Sequence, residues 1–150
     1  MTRTRIPQRW DGENQAYFVT VTTKGREPIF AEETNCRRLM AACKDVFIYH
    51  PFRLAALVIL PDHWHAILRP YPNIVIETVV GAVKQNVWRQ VCATQKRPSF
   101  WQPRFLDHRI RDDDDLAHHL EYIRLNPVKH GLTAQSEEYA WLFFHPRLLG

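Results

Sequence analysis

The chain has 150 residues, 45% hydrophobic and 24% charged, with a formal net charge of +4 and a pI near 9.1. That is the arithmetic of one soluble globular domain, able to bury roughly 68–70% of its unfolded surface without disulfide or metal staples. The longest apolar run, Leu54–Leu60, is far short of the ~20 residues of a membrane span.

The N-terminus, MTRTRIPQRW, has charges but no apolar stretch, so no secretory signal is expected. Five tryptophans argue against disorder. Cys36, Cys43 and Cys92 make an odd count without CxxC spacing. They read as thiols of a reducing compartment, which sets the expected location as cytoplasmic.

Residues 16–23 (AYFVTVTT) are β-branched and aromatic and predict a first strand, closed by Gly25. Over residues 32–49, Leu39, Met40, Cys43, Val46 and Phe47 recur at helical spacing. Phe52–Leu60 is nearly all apolar, the pattern of a central strand buried on both faces. Pro61-Asp62 turns the chain, and His63–Arg69 (HWHAILR) returns as the hairpin partner. Ile76, Val79, Val80, Val83, Val87 and Val91 repeat every three or four residues and predict a second helix. Phe100–Ile110 supplies a fourth strand that Pro103 confines to an edge. A last helix is predicted over Asp112–Leu125, with aspartates at the positive end of its dipole and Leu116, Leu120 and Ile123 along its buried stripe. The aromatic tail from Glu137 is expected to pack back on the core. The order β-α-β-β-α-β-α gives an α+β chain, a ferredoxin-like βαββαβ sandwich with an additional C-terminal helix. It reads as a single domain over residues 1–150, with a core at about 16–132 and a tail at 133–150.

Charge is concentrated. Between Gly81 and Arg111 stand Lys84, Arg89, Lys96, Arg97, Arg104, Arg109 and Arg111 against Asp107 alone, with Trp88, Phe100, Trp101 and Phe105 interleaved. Arg3, Arg5 and Arg9 form a second basic cluster. Basic residues mixed with aromatics suit phosphate neutralisation and base stacking, although a solvated basic face has the same composition.

Side chains alternate along a strand, so His63 and His65 share one face while Trp64 takes the other. Two imidazoles so placed can grip one divalent cation, or can simply line a polar strand face. On the last helix, at 100° per residue, Asp115, His119, Tyr122 and Asn126 fall within about 60° of one another. If that helix crosses the sheet beside the histidines, Asn126 Oδ1 completes a His-His-amide set and Tyr122 faces whatever the cation holds. Pro127 weighs against this, because a residue before proline tends to leave helical geometry.

Such a set suits phosphoryl transfer, in which a metal polarises the phosphodiester and the phenol attacks in line. A free phenol has a pKa near ~10, so the tyrosine needs the metal field or a neighbouring acceptor such as His119. A phosphotyrosine link keeps the ester bond energy and lets the strand be rejoined, which favours strand transfer over hydrolysis.

Together, LPDHWHAIL and FWQPRFLDHRIRDDDDLAHHLEYIRLNPVKHGL resemble the REP-associated tyrosine transposases, of the single-tyrosine HUH superfamily, over about Tyr17–Leu132. In that family's His-hydrophobic-His pattern the histidines match His63 and His65, the nucleophile matches Tyr122, and the third metal ligand matches Asn126. The resemblance implies a Mg²⁺- or Mn²⁺-dependent transposase, a single-strand DNA endonuclease and strand transferase. It would act on hairpins of repetitive extragenic palindromes through a 5′-phosphotyrosine intermediate, with no membrane partner. Monomer and homodimer both stay open, since related transposases exchange tyrosines between subunits. Asp62, Trp64 and the tail YAWLFFHPRLL depart from the family pattern of Asn, an aliphatic residue and a Trp-Ser-Ser ending.

Two other readings compete. RNA-recognition modules share the βαββαβ order without catalysis, but HWHAILR does not match their basic-Gly-aromatic signature. A metal-dependent hydrolase would need a carboxylate-rich site, whereas Asp112–Asp115 reads as a helix start.

Overall fold

Strand alternation decides how the chain layers. The computed structural model describes residues 15–93 and 97–149. Its strands are β1 (Tyr17–Thr22), β2 (Phe52–Leu60), β3 (His63–Pro70), β4 (Leu106–Arg109) and β5 (Leu142–Phe144). The three long helices are α1 (Glu33–Tyr49), α2 (Ile76–Cys92) and α3 (Asp113–Lys129). The strands form one antiparallel sheet in the order β4-β1-β3-β2-β5. Its first four members and the two helices α1 and α2 give the expected ferredoxin-like order.

Val19, Val21, Leu57, Ile59, Trp64, Ala66 and Leu68 project to one side and form a core with Leu39 and Val46 of α1 and the valines of α2. The opposite side carries Ala56, Val58 and Ile67, which pack with Leu116 and Ile123 of α3. The α1/α2 layer, the sheet and α3 are thus stacked in three tiers. A register shift between Leu54 and Ala56 in β2 brings both Ala55 and Ala56 into the α3-side cluster, where Ala16 joins them. These small side chains let α3 lie close to the sheet. Burying Leu116 and Ile123 there contributes ~1.5–3 kcal/mol each.

Helix α3 starts where Asp112 accepts a hydrogen bond from the Asp115 N–H at 2.7 Å, an N-cap that satisfies an orphan donor. It does not stop at Leu125. The helix runs through buried Pro127 to Lys129. Proline withdraws a single intrahelical hydrogen bond at this position, and the helix ends immediately afterwards in a hydrogen-bonded stop. The Leu132 N–H donates to the Pro127 carbonyl at 2.9 Å and the Gly131 N–H to Val128 at 3.0 Å. Gly131 takes a φ of 69°, the left-handed turn this closing motif requires.

The fourth strand is shorter than expected, because Pro103 lacks an N–H for the ladder. Phe100 and Trp101 are buried instead, and their segment is tied to the end of β1 by Lys24 N–H to Phe100 O and Gln102 N–H to Thr22 O. The tail does pack back. β5 extends the sheet beside β2, and the Arg69 guanidinium donates to the Leu149 carbonyl at 2.6 Å. All three cysteines are free thiols, and no described helix is long and apolar enough to cross a membrane.

Candidate active site

His63 opens β3 directly after the Pro61-Asp62 turn, and His65 follows on the same face. Their rings stand nearly perpendicular with centroids 4.9 Å apart. Both are buried, with 7% and 4% of their surface exposed. Each ring is held at Nδ1. The Asp62 carboxylate lies 2.6 Å from that atom of His63, and the Thr20 hydroxyl 2.9 Å from that of His65. Partners of this kind fix the tautomer and leave Nε2 as the nitrogen available to a cation. Burial, with the like charges of His63 and His130 adding to it, pushes the His65 pKa down to about 3. Burial also lowers that of His63, against the opposing pull of Asp62. Both rings are therefore neutral at pH 7, the form that binds metals.

Helix α3 roofs this pair. The Tyr122 ring lies 5.4 Å from His65, and the His130 ring 5.6 Å from His63. Tyr122, Asn126 and His130 are spaced one turn apart, so these two contacts bracket Asn126. Asn126 is wholly buried, and neither its Oδ1 nor its Nδ2 has a hydrogen-bond partner. An unsatisfied buried group costs about 1–3 kcal/mol, so this amide is destabilising unless something binds it. Two imidazole nitrogens and one amide oxygen are a donor set that suits a divalent cation. The residues present fit such an ion.

Tyr122 itself is 39% exposed, which leaves its ring accessible to a large substrate. Phe18 stacks on His65 at 5.3 Å and meets the edge of Tyr122 at 5.7 Å, so the three rings pack as one cluster. The Lys129 ammonium sits 5.5 Å from the centre of the Tyr122 ring.

His63, His65 and Tyr122 thus come together, with Asn126 one helical turn beyond Tyr122. His119 does not join them directly. Its ring packs on the side of Phe18 at 4.8 Å, and its Nδ1 is bound to the Asp115 carbonyl at 2.8 Å. The basic stretch divides. Lys84 donates to the Gln102 carbonyl at 2.9 Å, and Arg97 is paired with Glu27. Arg89, Arg104, Arg109 and Arg111 are exposed. Arg109 pairs with Tyr17 and so points to the α1/α2 side of the sheet. Arg3, Arg5 and Lys96 lie outside the described residues.

Sequence reasoning missed Phe18, Thr20, Lys129 and His130. The last two continue the Tyr122–Asn126 stripe and were legible had the helix been carried through Pro127. Phe18 and Thr20 depend on the β1–β3 register, for which the sequence carries no local signal.

Comparison with known proteins follows the same line. The family profile described as "Transposase IS200 like" matches residues 12–126. A REP-associated tyrosine transposase of Escherichia coli K12 is 32% identical over 130 residues, covering 86% of this chain and 76% of the relative. A candidate REP-associated tyrosine transposase of Haemophilus influenzae is 31% identical over 140 residues, covering 86% and 79%. A solved structure of a REP-associated tyrosine transposase bound to a REP hairpin superposes with a TM-score of 0.76 at 29% identity, covering 95% of this chain and 82% of that one.

Proposed function

The chain belongs to the IS200-like transposases, among the REP-associated tyrosine transposases, enzymes of DNA recombination, and on that premise we propose that it cleaves and rejoins single-stranded DNA beside a hairpin with Tyr122 as nucleophile. The observation that carries this reading is the contact of an accessible phenol with one of a buried pair of neutral imidazoles, with an unpartnered buried amide one turn along the same helix. The relative solved with a REP hairpin supplies the substrate class.

In the proposed step the Tyr122 oxygen forms a bond to phosphorus and the bond from phosphorus to the 3′-oxygen breaks. The new 5′-phosphotyrosine ester holds one DNA end, and the 3′-hydroxyl leaves. Attack by a 3′-hydroxyl reverses the exchange and regenerates the phenol. Phe18 and His65 orient the ring edge-on. Lys129 places a positive charge beside the nucleophile, where the phosphate gathers negative charge. The phenolic proton goes to solvent, which reaches this half-open ring. His63, His65 and Asn126 would hold Mg²⁺ or Mn²⁺, which when bound polarises the phosphodiester.

Tyr122 and His65 meet within one chain, which supports a site completed in cis and a monomer as the working unit. Cytoplasmic action fits the free thiols. The non-catalytic alternative, base stacking on an open sheet as in RNA-recognition modules, is disfavoured because β2 and β3 are buried on both faces.

The test is incubation with single-stranded hairpin DNA and Mn²⁺ followed by denaturing electrophoresis. The protein should form a denaturation-resistant adduct, and Tyr122→Phe should lose it while retaining hairpin binding. An adduct of undiminished yield in that variant would remove Tyr122 from the role.

A further inference from the structure

A second cluster of metal-ligating side chains lies across Phe18 from the tyrosine site. His108 comes from edge strand β4, and Asp115 and His119 from the first turns of α3. One ligand atom from each gathers within 4.8 Å of the others. His108 Nε2 is 2.8 Å from Asp115 Oδ2, and His119 Nδ1 is 3.1 Å from Asp115 Oδ1 and would give up its hydrogen bond to the Asp115 carbonyl on binding a cation. The two imidazoles lie face to face at 4.6 Å. Asp115 and His119 are mostly buried, with side-chain exposures of 12% and 17%, whereas His108 is at 36%.

We propose that His108, Asp115 and His119 form a second cation site, selective for a divalent transition metal of the Zn²⁺ class, that clamps the tyrosine helix to the sheet edge. The donor chemistry sets the class. Two imidazoles and one carboxylate suit Zn²⁺, Co²⁺ or Mn²⁺, whereas Mg²⁺ and Ca²⁺ prefer oxygen donors. The open side at His108 leaves a position for water or a DNA phosphate, as in three-ligand zinc sites.

The carboxylate is already arranged for the task. The Arg111 backbone N–H donates to its Oδ2 at 2.9 Å and fixes its orientation. Burial raises the Asp115 pKa, but that hydrogen bond and the His108 ring outweigh it and hold the group below the usual range. The positive end of α3 opposes a cation here, and Asp112, Asp113 and Asp114 offset it.

Position gives the consequence. His108 faces Phe18 across the β1–β4 ladder, and among the described residues β4 is the outermost strand on its side of the sheet. A bound ion would therefore tie a weakly held edge to the first turn of α3, two turns before Tyr122. The site depends on none of His63, His65 or Asn126, so it stands or falls apart from the catalytic reading.

The experiment strips the full chain with EDTA, loads it with Zn²⁺ or Co²⁺, removes free ion by gel filtration and counts bound metal. The His63→Ala/His65→Ala double variant should retain about one ion per chain, with Co²⁺ ligand-field absorption. Adding His108→Ala, a half-exposed side chain whose loss spares the fold, should abolish both the ion and the absorption; His119→Ala in the same background should repeat the result. Folding of each variant is checked by circular dichroism. The proposal is overturned if the double variant holds no ion, or if its ion survives removal of His108 and of His119. If the wild-type chain loses its ion with His108→Ala but not with His63→Ala/His65→Ala, this site stands and the metal assignment at the tyrosine site fails.

Discussion

Replacing Asn126 by leucine should separate the cost of the buried amide from its use. Leucine reproduces the branched outline of asparagine without its polar atoms. Asn126 is 0% exposed and leaves two polar atoms, Oδ1 and Nδ2, without partners. At about 1–3 kcal/mol for each unsatisfied buried group, the lower bound for removing both is a gain of about 2 kcal/mol. For a chain of this length that corresponds to a rise in melting temperature of about 4–8 °C. Thermal unfolding in EDTA measures it. Added Mn²⁺ should then stabilise the parent chain by about 2.7 kcal/mol at a hundred times the dissociation constant. Asn126→Leu should show no such rise. Both proteins carry His108→Ala, so that only the tyrosine site reports. A leucine variant that melts below its parent in EDTA, or keeps the full Mn²⁺ response, would refute the assignment of this amide as a ligand.

Three further outcomes are expected. His65 ionises near 3 in the folded chain and near 6.5 when unfolded, so in EDTA its contribution is neutral above about pH 6.5. As the pH falls from there the unfolded chain takes a proton that the folded one refuses, and stability drops by about 1.4 kcal/mol per pH unit until pH nears 3. Denaturant midpoints across this window check it, and His65→Gln should flatten the slope; an equal slope in that variant would assign the acid sensitivity elsewhere. Thr20→Val removes the hydroxyl beside His65 Nδ1 and should weaken Mn²⁺ binding by roughly 10–100-fold without unfolding the chain, as isothermal titration would show. Gly131→Ala forces a side chain into a φ of 69° and should destabilise by about 1 kcal/mol or more, read as a lowered melting temperature.

Much of this architecture was legible because its signals are local. The apolar run of β2 places it at the centre of the sheet, the valine stripe of α2 is buried at every predicted position, and Asp112 caps α3 as the acidic run implies. The His63–His65 pair needed only strand alternation. Prediction failed where long-range contacts overrule local preference. Pro127 suggested a helix boundary, yet burial of Pro127 and the hydrogen bonds through Gly131 and Leu132 carry α3 one turn further. That turn presents Lys129 and His130. His119 shares a helical stripe with Tyr122, but the cross-strand register packs Phe18 against both, and His119 is tied to Asp115, partners that no spacing rule reveals. The basic stretch looked continuous in sequence and is divided in space, because β4 alternates faces and Glu27 binds Arg97.

The most direct measurement is the chemical identity of the residue that carries DNA. The protein is reacted with a hairpin oligonucleotide and Mn²⁺, the adduct is trimmed with nuclease and protease, and the modified peptide is sequenced by mass spectrometry. The expected result is a nucleotide joined through its 5′-phosphate to Tyr122. A nucleotide on any other side chain, or cleaved DNA bearing a free 5′-phosphate with no protein attached at any time point, would contradict it.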